Sequence, residues 1–504
     1  MAAKKAARKN PDVPRRAAAK PVAPRLSVRM YRQGLGDCFL ITMPSSSSRP
    51  FHMLIDCGVV LGTADPGSVM KKVVNDIDTV TEGHVDLLLA THEHWDHVSG
   101  FIQAQDVFDK LTIDEVWLAW TEDPKDKLAS KLRDERRTAE EALRLAVNHL
   151  ALAKVTETAQ HVDSLVGFFG AKAGSTEEAL NYVKKRAVGK PRYCEPGEPP
   201  IVIPKLPGVR FWILGPPKDE RLIKKSNPGK NDAYGLDAAP GGSQAPLVAA
   251  LTRTMAVTDA AAQDDGIEEP FDSMYSIPIA RAEHVAFFEN RYFGDSTDRS
   301  LYDRSTRSEI HDQSWRRIDS VWMESSETMA LQLDSATNNT SLVLAIELIG
   351  TGEILLFPGD AQAGNWLSWQ DLKWELDDSK SGKKTTVTGS DLLSRTIFYK
   401  VGHHGSHNAT LKAKGLELMA NDNLVAMIPV DHAMAVKKRW GRMPLPDLVD
   451  RIKEKTHGRV LKIDDQVSNS ADLDKLRPKN TDAALWKEFA DRVEVSDLYY
   501  ELSF

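Results

Sequence analysis

Three histidines and an aspartate crowd into six positions, His92-Glu93-His94-Trp95-Asp96-His97, directly behind the apolar run 85–90. The whole chain has only 14 His, so this clustering constrains the fold more than any other feature. A short continuous apolar run reads as a strand covered on both faces. Its end must therefore carry imidazoles and a carboxylate into the protein, where unpaired polar groups are costly. On an extended segment His92 and His94, two residues apart, project to the same side and can grip one cation. Asp96 and His97 stand where the chain is expected to turn through 91–100, within reach of a second ion, the arrangement that two-metal hydrolysis requires.

Around this segment the chain alternates short β-like runs with amphipathic ones, the pattern of an α/β (α+β) protein. Runs 26–32, 38–43 and 51–56 read as a β-meander, 68–76 as a helix, and 115–120 and 209–214 as strands. Residues 121–190 have helical spacing and read as a helical insertion; residues 218–310, rich in Gly, Ala, Asp and Ser, read as a long irregular insertion with at most a few short elements. Strands follow at 318–323, 341–348, 354–357, 398–401, 424–430 and 459–463, with helices at 411–419 and 445–455 and a closing strand at 493–502.

At 504 residues the chain exceeds an ordinary domain of roughly 100–200 residues, which fits one large domain, 26–504, carrying insertions. Hydrophobic content of 41% and charged content of 27% are those of a globular protein. No run approaches the roughly 18 apolar residues of a membrane span, so no membrane partner is expected. Cys38, Cys57 and Cys194 form no CxxC pair and point to a reducing, cytoplasmic setting. Residues 1–25 carry eight Lys/Arg against Asp12 alone, a net +7; since the chain totals -7, the remainder carries -14. This tail is expected to be disordered, and its charge suits nucleic-acid phosphate.

The motif HxHxDH after an apolar strand resembles the metal-binding signature of the metallo-β-lactamase superfamily. Leu54-Ile55-Asp56-Cys57-Gly58 is similar to that superfamily's early strand, Leu355-Leu356-Phe357-Pro358-Gly359-Asp360 to its later one, and Val401-Gly402-His403-His404-Gly405-Ser406 to its last metal motif. Gln33-Gly34-Leu35-Gly36-Asp37-Cys38-Phe39-Leu40-Ile41 and Asn338-Asn339-Thr340-Ser341-Leu342-Val343-Leu344 narrow the resemblance to the metallo-hydrolase domain of ComEC-type DNA-uptake proteins.

The resemblance implies a four-layer αββα sandwich and two divalent ions, Zn or Mn, held by His92, His94, Asp96, His97, Asp360 and His404, with Asp360 bridging. Asp56 would orient the metal loop, and Asp96 would share in the catalytic work. His403 would contact the substrate or protonate the leaving group, and Asn338, Asn339 and Ser406 would line the substrate side. In that group an Asn-rich motif takes the place of a third His on the first ion, as it does here. The family's late Tyr-Gly-His-Pro element is Trp440-Gly441-Arg442-Met443-Pro444 in this chain, with His432, Lys437 and Lys438 near enough in sequence to compensate. The implied activity is hydrolysis by a metal-activated water without a Ser or Cys nucleophile, in a phosphodiesterase or nuclease. Hydrolysis of small esters, lactones or phosphorylcholine esters, or a metal-stabilised interaction module, are the alternatives; protein partners are unspecified.

Overall fold

Residues 85–90 are apolar apart from Asp86, which Arg49 and Lys205 neutralise, because this strand is covered on both faces. In the computed structural model, which describes residues 26–152, 156–167, 176–229, 232–234, 277, 279–282, 284–288, 292, 301–303, 308–310, 325–377, 384–438, 440, 442–479 and 481–504, it becomes His84–Leu89. It lies inside an eight-stranded mixed sheet. Ser27–Tyr31, Cys38–Met43 and Phe51–Cys57 form the antiparallel meander of that sheet. His84–Leu89, Thr112–Ala119 and Arg192–Cys194 continue it in parallel, and Val493–Val495 with Tyr499–Ser503 pair onto the other edge. A six-stranded mixed sheet contains Val209–Gly215, Val343–Leu348, Glu353–Phe357, Thr396–Lys400, Val425–Ile428 and Val460–Lys462.

Side chains alternate across each strand, and the clusters record it. Phe39, Ile41, Ile55, Leu87 and Leu89 of the first sheet share one apolar cluster with Phe211, Ile213, Leu344, Leu355, Phe357 and Phe398 of the second. Leu40, Leu54 and Leu88 point the other way, onto Met70, Val73 and Ile77 of helix Pro66–Thr81 and Phe101 of helix Trp95–Gln103. On the far face of the second sheet Trp212, Leu356 and Tyr399 meet Trp366, Trp369, Leu448 and Ile452. Each fully buried Leu contributes roughly 1.5–3 kcal/mol, so the strand that feeds the His-rich segment is held firmly from both sides. Among the described residues the protein is a mixed α/β protein of two large sheets, two two-stranded sheets and helices.

The helical insertion is present as Lys127–Leu152, Thr156–Val166 and Thr176–Arg186. Ala142, Leu143, Ala146, Leu150, Val162 and Leu165 pack there with Met329 and Ala330 of helix Ser325–Asn338 as a separate small core.

Several expectations change. The segment 91–100 is not a turn throughout, because Trp95–Gln103 is a helix. Gly100, which resembles a breaker, sits inside it where a Cβ would come within 2.7 Å of the Cys57 carbonyl and sulfur, so a close helix–strand crossing explains the residue. The expected helix at 411–419 is a series of turns ending in the single 3-10 turn Leu416–Leu418; Leu411, Leu416 and Met419 are buried without helical spacing. The closing strand is split, because the Ser496 hydroxyl accepts from the Leu498 and Tyr499 amides and turns the chain. The tail 1–25, the expected strand 318–323 and most of 218–310 lie outside the described residues; the short elements within 218–310 include Glu220–Ile223, Leu301–Asp303 and Ser308–Ile310. Among the described residues no helix is long and apolar enough to cross a membrane, and all three cysteines are free and buried.

Candidate metal centre

The strands Phe51–Cys57, His84–Leu89, Glu353–Phe357 and Thr396–Lys400 deliver the motif residues at or just beyond their C-terminal ends. Three loops lock there by backbone contact: the Asp37 amide donates to the Asp96 carbonyl at 3.0 Å and the Gly58 amide to the Asp37 carbonyl at 3.0 Å. A Cβ on Gly58 would lie 2.4 Å from the Asp96 carbonyl carbon and oxygen, so only glycine lets the first strand's loop pass under the His-rich segment.

Asp56 stands beneath the site. Its carboxylate accepts from the Thr91 amide and hydroxyl, each at 2.7 Å, and lies 2.8 Å from His97 Nδ1. An ionised carboxylate accepts, so His97 carries its proton on Nδ1 and turns Nε2 inward. His404 repeats the device, with Nδ1 donating to the Pro429 carbonyl at 2.8 Å. The inward nitrogens meet two carboxylates: His97 Nε2 lies 3.1 Å from Asp360 Oδ2 and 4.0 Å from Asp96 Oδ2. His404 Nε2 lies 3.0 Å from Asp96 Oδ2 and 3.6 Å from Asp360 Oδ2. Asp37, His97, Asp360 and His404 bring ligand atoms within 4.8 Å of one another and are close enough to hold a metal ion. Lys400 Nζ, buried, contacts Asp37 Oδ2 at 2.5 Å, Asp360 Oδ1 at 3.1 Å and the Gly359 carbonyl at 2.7 Å. Its ammonium occupies the Asp37 side, which leaves Asp360 Oδ2 and Asp96 as the carboxylate oxygens on the Nε2 side.

Electrostatics follow from burial and from these contacts. Burial opposes the charged ring of His97, but Asp360, Asp37, Asp56 and Asp96 outweigh it and raise its pKa well above the ordinary value. His404 is raised in the same way by Asp360 and Asp96 against burial. Asp360 would be pushed up by burial, yet His97, Lys400 and His404 hold it well below the usual carboxylate range. Burial lowers His92, and it lowers His94 to about 3 and His403 to about 4. Carboxylate oxygens and ring nitrogens about 3 Å apart need a proton or a cation between them, and Asp96 Oδ1 is buried with no hydrogen-bond partner among the described residues. Imidazole and carboxylate donors gathered in this way could hold a metal ion.

His92 and His94 lie beside this group, with His92 and His97 ring centroids 4.2 Å apart. His92 Nδ1 is 3.1 Å from the Thr91 hydroxyl, which leaves Nε2 facing His94 Nδ1 at 3.0 Å. The remaining expected residues divide. The His403 amide donates to Asp360 Oδ1 at 3.1 Å, and its ring Nδ1 lies 3.4 Å from Gln362 Nε2. Ser406 donates to Asn408 at 3.0 Å. Asn339 does not face the site: its Nδ2 donates to the Ile223 and Lys225 carbonyls, and its Oδ1 accepts from the Gln362 and Asn365 amides. That amide braces buried backbone and has no capacity left for a substrate. Asn338 donates to Asp334 at 3.1 Å. His432 is engaged with the Met443 carbonyl at 2.9 Å. Sequence reasoning missed Lys400 and Asp334 and quoted Asp37 only for its motif; a lysine ending the apolar strand 396–400 was the available signal for Lys400. It also missed Glu93, whose carboxylate turns away from the centre to an ion pair with Arg136 and accepts from Thr176 Oγ1 at 3.0 Å.

A second group, His84, Asp86 and Asp114, has metal-like spacing, but Arg49 and Lys205 already pair with Asp86, and Lys205 with Asp114. Comparison of the chain with protein-family models, curated proteins and solved structures returns no match.

Proposed function

We propose that the chain is a divalent-metal-dependent hydrolase of the metallo-β-lactamase type, a four-layer αββα sandwich whose substrate is a phosphodiester. The observation that carries the reading is the convergence of the inward nitrogens of His97 and His404 on Asp96 and Asp360, with His92 and His94 alongside. The facing of the two sheets through one apolar cluster supports the architecture. The phosphodiester assignment rests on the likeness of the Asn338–Leu344 and His403–Ser406 motifs and on the basic tail.

Divalent ions on such donors supply Lewis acidity and a water nucleophile near neutral pH. The chain's own groups do the rest. Asp56 holds the His97 tautomer and ties it to Thr91. Lys400 pins Asp360 Oδ1 and so directs Oδ2 toward the histidines. His403, half-buried and with its ring held neutral by desolvation, presents a ring N–H to a substrate oxygen while its backbone amide steadies Asp360.

The test is an assay of zinc- or manganese-loaded protein on bis-p-nitrophenyl phosphate, single- and double-stranded DNA, RNA, a lactone and a phosphorylcholine ester. Phosphodiester cleavage that falls at least 10³-fold in Asp360→Ala is the expected result. Turnover of the lactone or the phosphorylcholine ester alone would move the substrate class. Full metal loading with no turnover of any of them would overturn the enzyme in favour of an interaction module.

A further inference from the structure

Among the described residues the two asparagines that follow Thr337 differ: Asn339 is fully engaged, whereas Asn338 uses its Nδ2 and leaves Oδ1 buried without a hydrogen-bond partner. Asn339 is consumed by backbone groups, and Asn338 donates to Asp334 Oδ2 at 3.1 Å. Asp334, one turn earlier on helix Ser325–Asn338 and 14% exposed, places Oδ1 3.7 Å from His94 Nε2.

A histidine that ligates through one ring nitrogen needs an acceptor on the other to fix its tautomer and orientation. That acceptor is visible for three rings of the centre: Asp56 for His97 at 2.8 Å, the Pro429 carbonyl for His404 at 2.8 Å and the Thr91 hydroxyl for His92 at 3.1 Å. We propose that Asp334 is the corresponding positioning residue for His94, holding its Nε2 side so that Nδ1 points to the same place as His92 Nε2, 3.0 Å away. The proposal rests on the metal-centre reading above. At 3.7 Å the two polar atoms lie just beyond hydrogen-bond range, and a shift of about half an ångström lets the neutral ring's N–H donate to the carboxyl oxygen. Asn338 steadies the other carboxylate oxygen. Because Met329 and Ala330 of the same helix pack on Ala142, Leu143 and Val162, the helical insertion is the scaffold that sets Asp334 in place.

The experiment measures metal per chain by mass spectrometry for the full-length protein dialysed against graded chelator, loaded with Zn²⁺, and records the visible spectrum after loading with Co²⁺. Wild type is expected to hold two ions. Asp334→Asn and Asp334→Ala should each weaken one of them roughly 10–100-fold, the usual cost of removing such a partner, and alter the cobalt bands. The other ion should stay, to be lost instead in His97→Ala. Circular dichroism monitors folding; should Asp334→Ala fail to fold, the near-isosteric Asn variant decides. Two ions at wild-type affinity and an unchanged cobalt spectrum in Asp334→Asn would overturn the role of Asp334 and leave the centre standing. Failure of wild type itself to bind would overturn the centre, and the proposal with it.

Discussion

Lys400 is the residue on which the anionic crowd depends. Its ammonium is buried between Asp37 and Asp360; burial alone would favour its neutral form, and the two carboxylates keep it charged. Removing one partner of a buried ionic group leaves an uncompensated charge, worth about 3–5 kcal/mol. Lys400→Met is therefore expected to lower stability by about that amount and to weaken metal retention through Asp360, measured by urea unfolding and metal analysis. Wild-type stability in that variant would show that the carboxylates are balanced by other means. At Asp334 the same crowd acts in the opposite sense, burial, Asp96 and Asp360 together pushing its carboxyl up to about 8, toward the neutral form.

Between elements, the tie that joins the helical insertion to the centre is Glu93. It sits between the two histidines in sequence, yet its carboxylate pairs with Arg136 of Lys127–Leu152 and accepts from Thr176 of Thr176–Arg186. Arg136→Met is expected to cost about 3–5 kcal/mol by stranding Glu93. A Glu93→Gln, Arg136→Met double variant should recover part of that loss, the signature of coupling in a double-mutant cycle; strict additivity would remove the tie. A different pair of elements adds to the acid sensitivity that the lowered His92, His94 and His403 already give the centre. His52 on Phe51–Cys57 is buried and lies 3.2 Å from Thr42 Oγ1. Burial lowers its pKa from the ordinary 6.5 to about 4, against the pull of Asp86. A group depressed on folding contributes stability that is complete above its unfolded value and is lost as pH falls. Denaturant titrations should therefore show stability declining between pH 6.5 and about 4, by about 2 kcal/mol. His52→Gln should make that limb shallower by His52's share, and an unchanged limb would assign it wholly to other groups.

At the scale of the whole molecule the charge is divided, with +7 in residues 1–25 and -14 in the remainder. If nucleic acid is the substrate, each phosphate the tail neutralises releases counterion, and affinity falls steeply with salt. Deleting residues 1–24 is expected to raise KM on DNA or RNA and flatten its salt dependence, with kcat and metal content unchanged, because binding energy shared equally by ground and transition states does not change kcat. Steady-state kinetics across a salt series measures it; identical KM and salt slopes with and without the tail would make the tail irrelevant to substrate.

What the sequence determined by itself was local in character. Alternation and continuity of apolar residues marked the strands 26–32, 38–43, 51–56 and 85–90, and helical spacing marked 121–190 and 445–455, because each pattern is read within a few residues of itself. Histidine and aspartate clustering marked His92 to His97 for the same reason, whereas Asp360 and His404 were marked only by the likeness of their motifs to those of a known family. Tertiary structure alone decided the rest. Lys400 acquires a role only when two loops bring Asp37 and Asp360 to it, and Glu93 leaves the centre because Arg136 lies 43 residues away in the chain and beside it in space. Asn339 turns into backbone, and Asp334 reaches His94 across 240 residues, through a helix that rests on an insertion. None of these contacts has a signature in spacing, since partners far apart in sequence meet only through the packing of the elements between them.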